Sequence, residues 1–183
     1  MSINKKIIIS KEQILEKYLN LDDYFKSVIA TLYGEETTLT VKMKCFECKN
    51  IVNKEGDNDI KILEEYQNKT GVYIFLDNDN IPVYIGLAGK VGGSHDIKQR
   101  LQKQFNCNGT NSTLYKNIEE IENILQNSSV PSESMADKKE LILEFAPKLL
   151  VIEVGELNIN GDVLRAQSLE TLLISLFNSK YNK

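Results

Sequence analysis

Two short aromatic–glycine blocks in the middle of the chain constrain its fold more than any other feature. Gly71-Val72-Tyr73 opens a run that continues through Ile74, Phe75 and Leu76, and Tyr84-Ile85-Gly86 closes a second run that begins at Ile81. Between them stands Asp77-Asn78-Asp79-Asn80, a stretch of turn formers. Two β-rich runs joined by a short Asn/Asp loop predict an antiparallel hairpin. The hairpin carries its two tyrosines on adjacent strands. A glycine flanks each block, where the backbone bends or is approached closely.

Charged residues in apolar settings come next. After a glycine-rich stretch holding Lys90, and after His95, the residues Ile97, Leu101 and Phe105 recur at i, i+4 and i+8, one apolar face of a helix. Ser94 or Asp96 is placed to cap it. Arg100, next to Leu101, falls near the edge of that face; the plain alternative is a solvated surface arginine. Far downstream, a second amphipathic helix is expected over Val163 to Asn178, with Glu170 among Leu169, Leu172 and Leu173. A carboxylate in such company is paired, binds a cation, or sits at the helix edge in water. The chain closes on Tyr181-Asn182-Lys183.

Taken in order, these residues resemble the GIY-YIG nuclease family. Gly71-Val72-Tyr73 stands for the first block, with Val for Ile, and Tyr84-Ile85-Gly86 matches the second in full. Arg100 corresponds to the helix arginine, Glu170 to the metal-binding glutamate and Asn182 to the late asparagine. The likeness spans about residues 70–183. It implies an α/β (α+β) fold: a small central antiparallel three-stranded sheet flanked by helices, with an N-terminal helical extension over 1–69 and an inserted helical segment over about 106–147. The distances from Gly86 to Arg100 and from Arg100 to Glu170 are long for the family, as in its small type II restriction endonucleases. Some of those place a lysine and a histidine before the arginine, as Lys90 and His95 stand here. Two positions depart from the pattern. Gln104 occupies the place one helical turn after the arginine where the family often has Tyr or His, and Leu87 follows the second block where it often has Lys.

The implied activity is hydrolysis of DNA phosphodiester bonds by a Mg²⁺-dependent endonuclease, with Mn²⁺ as the alternative ion. Such chemistry needs an activated water and charge stabilisation on the phosphate. Glu170 as a single metal-binding carboxylate suits one Mg²⁺ completed by waters and substrate phosphate. Arg100 would clamp a phosphate oxygen with its planar fork, and Asn182 would orient Glu170 or the last helix. The resemblance makes Tyr73 the group that helps deprotonate water, with Tyr84 bonded to that water or to the phosphate. For Tyr73 to be half-ionised near pH 7.5, its pKa must fall from about 10, roughly 3.4 kcal/mol of differential stabilisation. Arg100, Lys90 and the metal are the cations that could supply it. His95 is a competing base, and both tyrosines would otherwise be sheet-packing residues.

The rest of the chain sets bounds. It has 183 residues, one domain or a domain with a subdomain. No run reads as a membrane span or signal peptide, and three cysteines without export signals point to a reducing cytoplasm. A net charge of −4 argues against strong nonspecific nucleic-acid binding, not against cations gathered in one groove. Ser10 to Gln13 reads as a capping box ahead of helical spacing through Leu32. Thr37 to Lys44 reads as a strand, Asp59 to Asn68 as a short helix, and Thr113 to Leu125 and Asp137 to Phe145 as helices about a loop over Gln126 to Ala136. Lys148 to Val154 reads as a strand. Cys45-Phe46-Glu47-Cys48 is a lone C-x-x-C, short of the ligands a zinc site needs. The expected partner is double-stranded DNA, cut by a homodimer whose two-fold axis matches a symmetric site. The alternatives are a repair or mobile-element nuclease of the same family, or an inactive nucleic-acid-binding module.

Overall fold

Strand β2 (Lys69–Leu76) and strand β3 (Pro82–Ala88) pair antiparallel, as the two aromatic–glycine blocks lead one to expect. The turn between them is built by Asp77, whose Oδ1 accepts from the main-chain N–H of Asp79 and of Ile81, both at 2.9 Å. Asn80 takes the left-handed φ of 62° that such a turn needs and that Asn tolerates. The computed structural model describes residues 42–53, 56–107, 113–125 and 134–182, all within one compact unit, Thr40–Lys183. The helix expected before Leu32 and most of the loop expected over 126–136 lie outside them.

The sheet has four strands, not the expected three. Its order is β1–β4–β2–β3, with β1 at Lys42–Glu47 and β4 at Lys148–Glu156, and every pairing is antiparallel. The fourth strand comes from the segment read as an N-terminal extension. It starts within the strand expected over 37–44 but runs on to Glu47, so that Lys42 to Glu47 lie along Glu153 to Lys148. Without it the outer main chain of β4 would be an open edge.

Both inner strands are covered on both faces. On one, Tyr73, Phe75, Tyr84, Leu149 and Val151 join a core completed by Ile97, Leu101 and Phe105 of α1 (Ile97–Phe105). Leu114, Tyr115 and Ile118 of α2 (Thr113–Leu125) and Ile142 of α3 (Met135–Phe145) belong to the same core. The expected insertion therefore packs under the sheet. Residues of the opposite parity, Val72, Ile74, Leu150 and Ile152, are buried too. Helix α4 (Asn160–Phe177) packs on β2, β3 and β4 and buries Val163, Ala166, Leu169 and Leu173. Asp96 caps α1 in a full capping box with Gln99. The short helix expected over 59–68 is a 3₁₀ helix, Ile60–Tyr66. Among the described residues no helix is long and apolar enough to cross a membrane.

The free edge of β3 is closed by the end of the chain. Tyr181 donates its N–H to the Val83 carbonyl at 2.7 Å. Asn182 bonds the main chain of Ile85 twice, Oδ1 accepting and Nδ2 donating, each at 2.7 Å. Helix α2 holds this strap: Asn117 donates to the Tyr181 carbonyl at 2.7 Å, and the Tyr181 hydroxyl and Lys180 both reach Glu122.

Two glycines are dictated by close approach. A Cβ on Gly71 would strike the Ile152 carbonyl oxygen on β4, and one on Gly86 would strike the Tyr73 ring. Gly86→Ala is expected to lower unfolding stability by about 1–3 kcal/mol as the ring shifts. Gly71→Ala should cost more, because a main-chain carbonyl within a ladder cannot rotate aside. Urea unfolding midpoints check the order; an equal or smaller loss at Gly71 would contradict it.

Candidate active site

The two tyrosines share one face of the hairpin. Tyr73 lies opposite Gly86 and Tyr84 opposite Phe75, which leaves the tyrosine rings 6.3 Å apart between centroids. Gln104 of α1 ties them down. Its Nε2 donates to the Tyr73 hydroxyl at 3.1 Å, and its Oε1 accepts from the Leu114 N–H at 3.1 Å, so both ends of the amide are used. The Tyr84 hydroxyl interacts in turn with Tyr73, Thr113 and Gln104.

Both phenols are pushed above the ordinary tyrosine range. Burial is the main cause for each; for Tyr73, Gln104 and Arg100 pull weakly the other way. The expectation that Tyr73 helps deprotonate water counted a metal ion among the cations that lower its pKa, and without that ion the side chains around it favour the neutral phenol. The physical reason is depth: Tyr73 is 2 % exposed, in the core under α1.

Arg100 and Glu170 come in from opposite sides of the sheet toward the β3 edge. Arg100 is half-buried, and its Nε is buried with no hydrogen-bond partner. Glu170 is also half-buried. Burial raises its carboxyl pKa, while the main-chain N–H of Leu87 and the charge of Arg100 oppose the rise. Among the described residues no ion pair within 4.0 Å neutralises either group. Leu87 thus serves through its main chain at a place where a lysine was looked for. Glu170 also bears on Tyr84, whose pKa it helps to raise.

The remaining residues read from the sequence separate. His95 is partly buried, its Nε2 2.5 Å from Lys103 Nζ, and its pKa is lowered by burial and by the charges of Lys103 and Arg100. Lys90 is exposed in a tight turn closed by the Gly93 N–H on its carbonyl, and its side chain makes no hydrogen bond or ion pair among the described residues. Asn182 binds Ile85, not Glu170; it reaches the carboxylate only through the strand edge, one rung from Leu87. Sequence reading missed Lys103, although its i+3 spacing from Arg100 was a usable signal. It also took Gln104 for a departure only, when Gln104 anchors Tyr73.

The cysteines stand apart. Cys45 is exposed on β1, Cys48 donates its thiol to the Ala146 carbonyl at 3.3 Å, and burial pushes the Cys107 thiol up to about 11. Among the described residues no three His, Cys, Asp or Glu gather to hold a metal. Glu170, on which the charge of Arg100 bears, is a single carboxylate of the kind that suits a hard cation taking most of its ligands from water and phosphate.

The raised Glu170 pKa has a consequence for stability. The folded value lies above the unfolded 4.5, so the charged form is disfavoured by folding; the cost is absent below the unfolded pKa and complete above the folded one. Glu170→Gln should therefore raise the thermal midpoint at pH 7 by a few degrees. The gain should vanish as the pH falls below 4.5. A lower midpoint at pH 7, read by circular dichroism, would contradict this. Comparison with known proteins finds no family model, no curated protein and no solved structure that matches the chain.

Proposed function

We propose that this chain is a metal-ion-dependent endonuclease that hydrolyses phosphodiester bonds of double-stranded DNA. The observation that carries the reading is the buried, unpartnered Nε of Arg100 together with the half-buried carboxylate of Glu170, on which the charge of Arg100 bears. A buried guanidinium nitrogen without an acceptor is costly unless an anion completes it. A phosphate oxygen is the planar acceptor its fork suits.

In this reading Arg100 binds a non-bridging oxygen of the scissile phosphate and offsets the charge that builds there. Glu170 is the residue that would hold Mg²⁺, or Mn²⁺ in its place; when bound, the ion supplies Lewis-acid stabilisation of the phosphate. Tyr73 and Tyr84, both protonated, form a fixed pair of hydroxyls, and Tyr84, nearer Glu170, orients water or phosphate. His95 is neutral near pH 7 and takes the proton of the attacking water. The water oxygen bonds to phosphorus, and the bond to the leaving oxygen breaks with its electron pair going to that oxygen, which takes a proton from solvent. Leu87 orients Glu170 through its N–H, and Asn182 keeps that strand edge in place. Lys90, exposed on its turn, contacts the DNA backbone.

We further propose a type II restriction enzyme: a homodimer that cuts both strands of a symmetric site, acting in the cytoplasm. A single active-site set per chain and a net charge of −4, with cations concentrated at α1, favour site-specific cleavage over general coating. One observation favours a second reading, a nucleic-acid-binding module without cleavage: the core position of Tyr73 and its tie to Gln104.

Incubation of unmethylated DNA with protein and Mg²⁺ separates these. Discrete fragments are expected, abolished by EDTA and by Glu170→Ala, with Arg100→Ala slowing cleavage by about 10²–10³. A smear would keep the nuclease and remove the restriction claim. Binding with no cleavage by folded protein would leave the second reading.

A further inference from the structure

Lys103 has no part in the scheme above, yet it occupies an unusual place. It stands three residues after Arg100, on the same side of α1, and its Nζ is 2.5 Å from Nε2 of His95. An ammonium has only protons to give. Nε2 of His95 is therefore the acceptor, and the ring proton is assigned to Nδ1.

Among the described residues no carboxylate pairs with this cation. Asp96, the nearest in sequence, is committed elsewhere: Oδ1 accepts from Gln99 N–H at 2.7 Å and Oδ2 from Asn68 N–H at 2.8 Å. Lys98, on another face of the helix, has its own partner in Glu64 at 2.6 Å. The charged groups that bear on His95 are Lys103, Arg100 and Asp96, and only the last favours protonation. The loop carrying the ring is pinned by its carbonyl, which accepts from Gly89 N–H at 3.0 Å. Lys103 thus blocks the one ring nitrogen able to take a proton. It does so three residues from Arg100, whose buried Nε has no hydrogen-bond partner.

Resting on the nuclease reading, we infer that Lys103 is a substrate-sensing residue: it leaves His95 to hold the phosphate adjacent to the scissile one, and so frees Nε2 to receive a proton from the attacking water. Arg100 and Lys103, with Cβ atoms about 5–6 Å apart, engage successive phosphates of one strand. Lys103 keeps its three protons throughout, and the only proton His95 gains is the one water loses. The base is then exposed only when DNA is in place.

His95 is the single histidine of the chain, so its ring signals in proton NMR titrate without ambiguity. The full chain carrying Glu170→Gln, which binds without cutting, is titrated free and with a short DNA duplex. Duplex binding is also measured across salt concentrations. With Lys103 present, DNA should raise the His95 midpoint. Lys103→Met should raise the midpoint of the free protein to its DNA-bound position and lower the slope of log K against log salt by about 0.9. Lys103→Arg should restore the slope. On the Glu170 protein, Lys103→Met should move the acid limb of the kcat/KM profile to higher pH.

If Lys103→Met changes neither midpoint nor slope while wild type cuts DNA, the inference fails and the nuclease reading stands. A midpoint that moves without a change in slope overturns the phosphate contact. A folded wild type that neither binds nor cuts DNA overturns both.

Discussion

Gly86 has no side chain because the ring of Tyr73 lies where one would go. That single close approach sets the depth of the tyrosine. A Tyr73 so deep needs a polar partner for its hydroxyl, and Gln104 on α1 supplies it. Gln104 in turn is oriented by the first turn of α2 through Leu114. The sheet, the arginine-bearing helix and the segment after it are locked together through one phenol. On the neighbouring strand Gly71 does the same for β4, where Ile152 approaches its Cα. Two missing side chains therefore set the spacing of three strands and the height of α1 above them.

The same packing divides the titratable groups into two kinds. Those in the core are satisfied and held neutral: the phenols of Tyr73 and Tyr84, and the thiol of Cys48. Those at the end of β3 are only half-buried and, among the described residues, form no ion pair. Arg100 and Glu170 influence each other without forming an ion pair, and Lys103 rests against a histidine. Burial of unpaired charge opposes folding. Here the half-buried Arg100 and Glu170 both lie toward the β3 end of the sheet.

Much of this was legible beforehand. The hairpin followed from β-branched and aromatic runs around an Asp/Asn turn, and α1 from the spacing of Ile97, Leu101 and Phe105 with Asp96 ahead of them. Helix α2 was placed at Thr113 to Leu125, as found. Its role was not: a helix rich in Glu and Asn reads as an outlying insertion, yet Leu114, Tyr115 and Ile118 complete the core. A strand was read over Thr37 to Lys44, but its place in the sheet was missed, because a short edge strand has little periodicity of its own. Its pairing with β4 comes from about a hundred residues away. The depth of Tyr73 was not legible, because a motif names a residue and not its burial.

Local chemistry alone determined the elements that short-range patterns encode: the turn at Asp77 to Asn80, the capped helix with Arg100 near its buried edge, and a glutamate set among leucines on the last helix. It also determined that glycines stand where backbones approach. Only tertiary structure decided what the charged groups do. It left Arg100 Nε without an acceptor and gave Asn182 to the edge of β3. It also brought Lys103 onto His95 from eight residues away. The reason is physical. Backbone preference and hydrophobic period act over a few residues, whereas desolvation and electrostatic pairing depend on which distant surfaces close over a group.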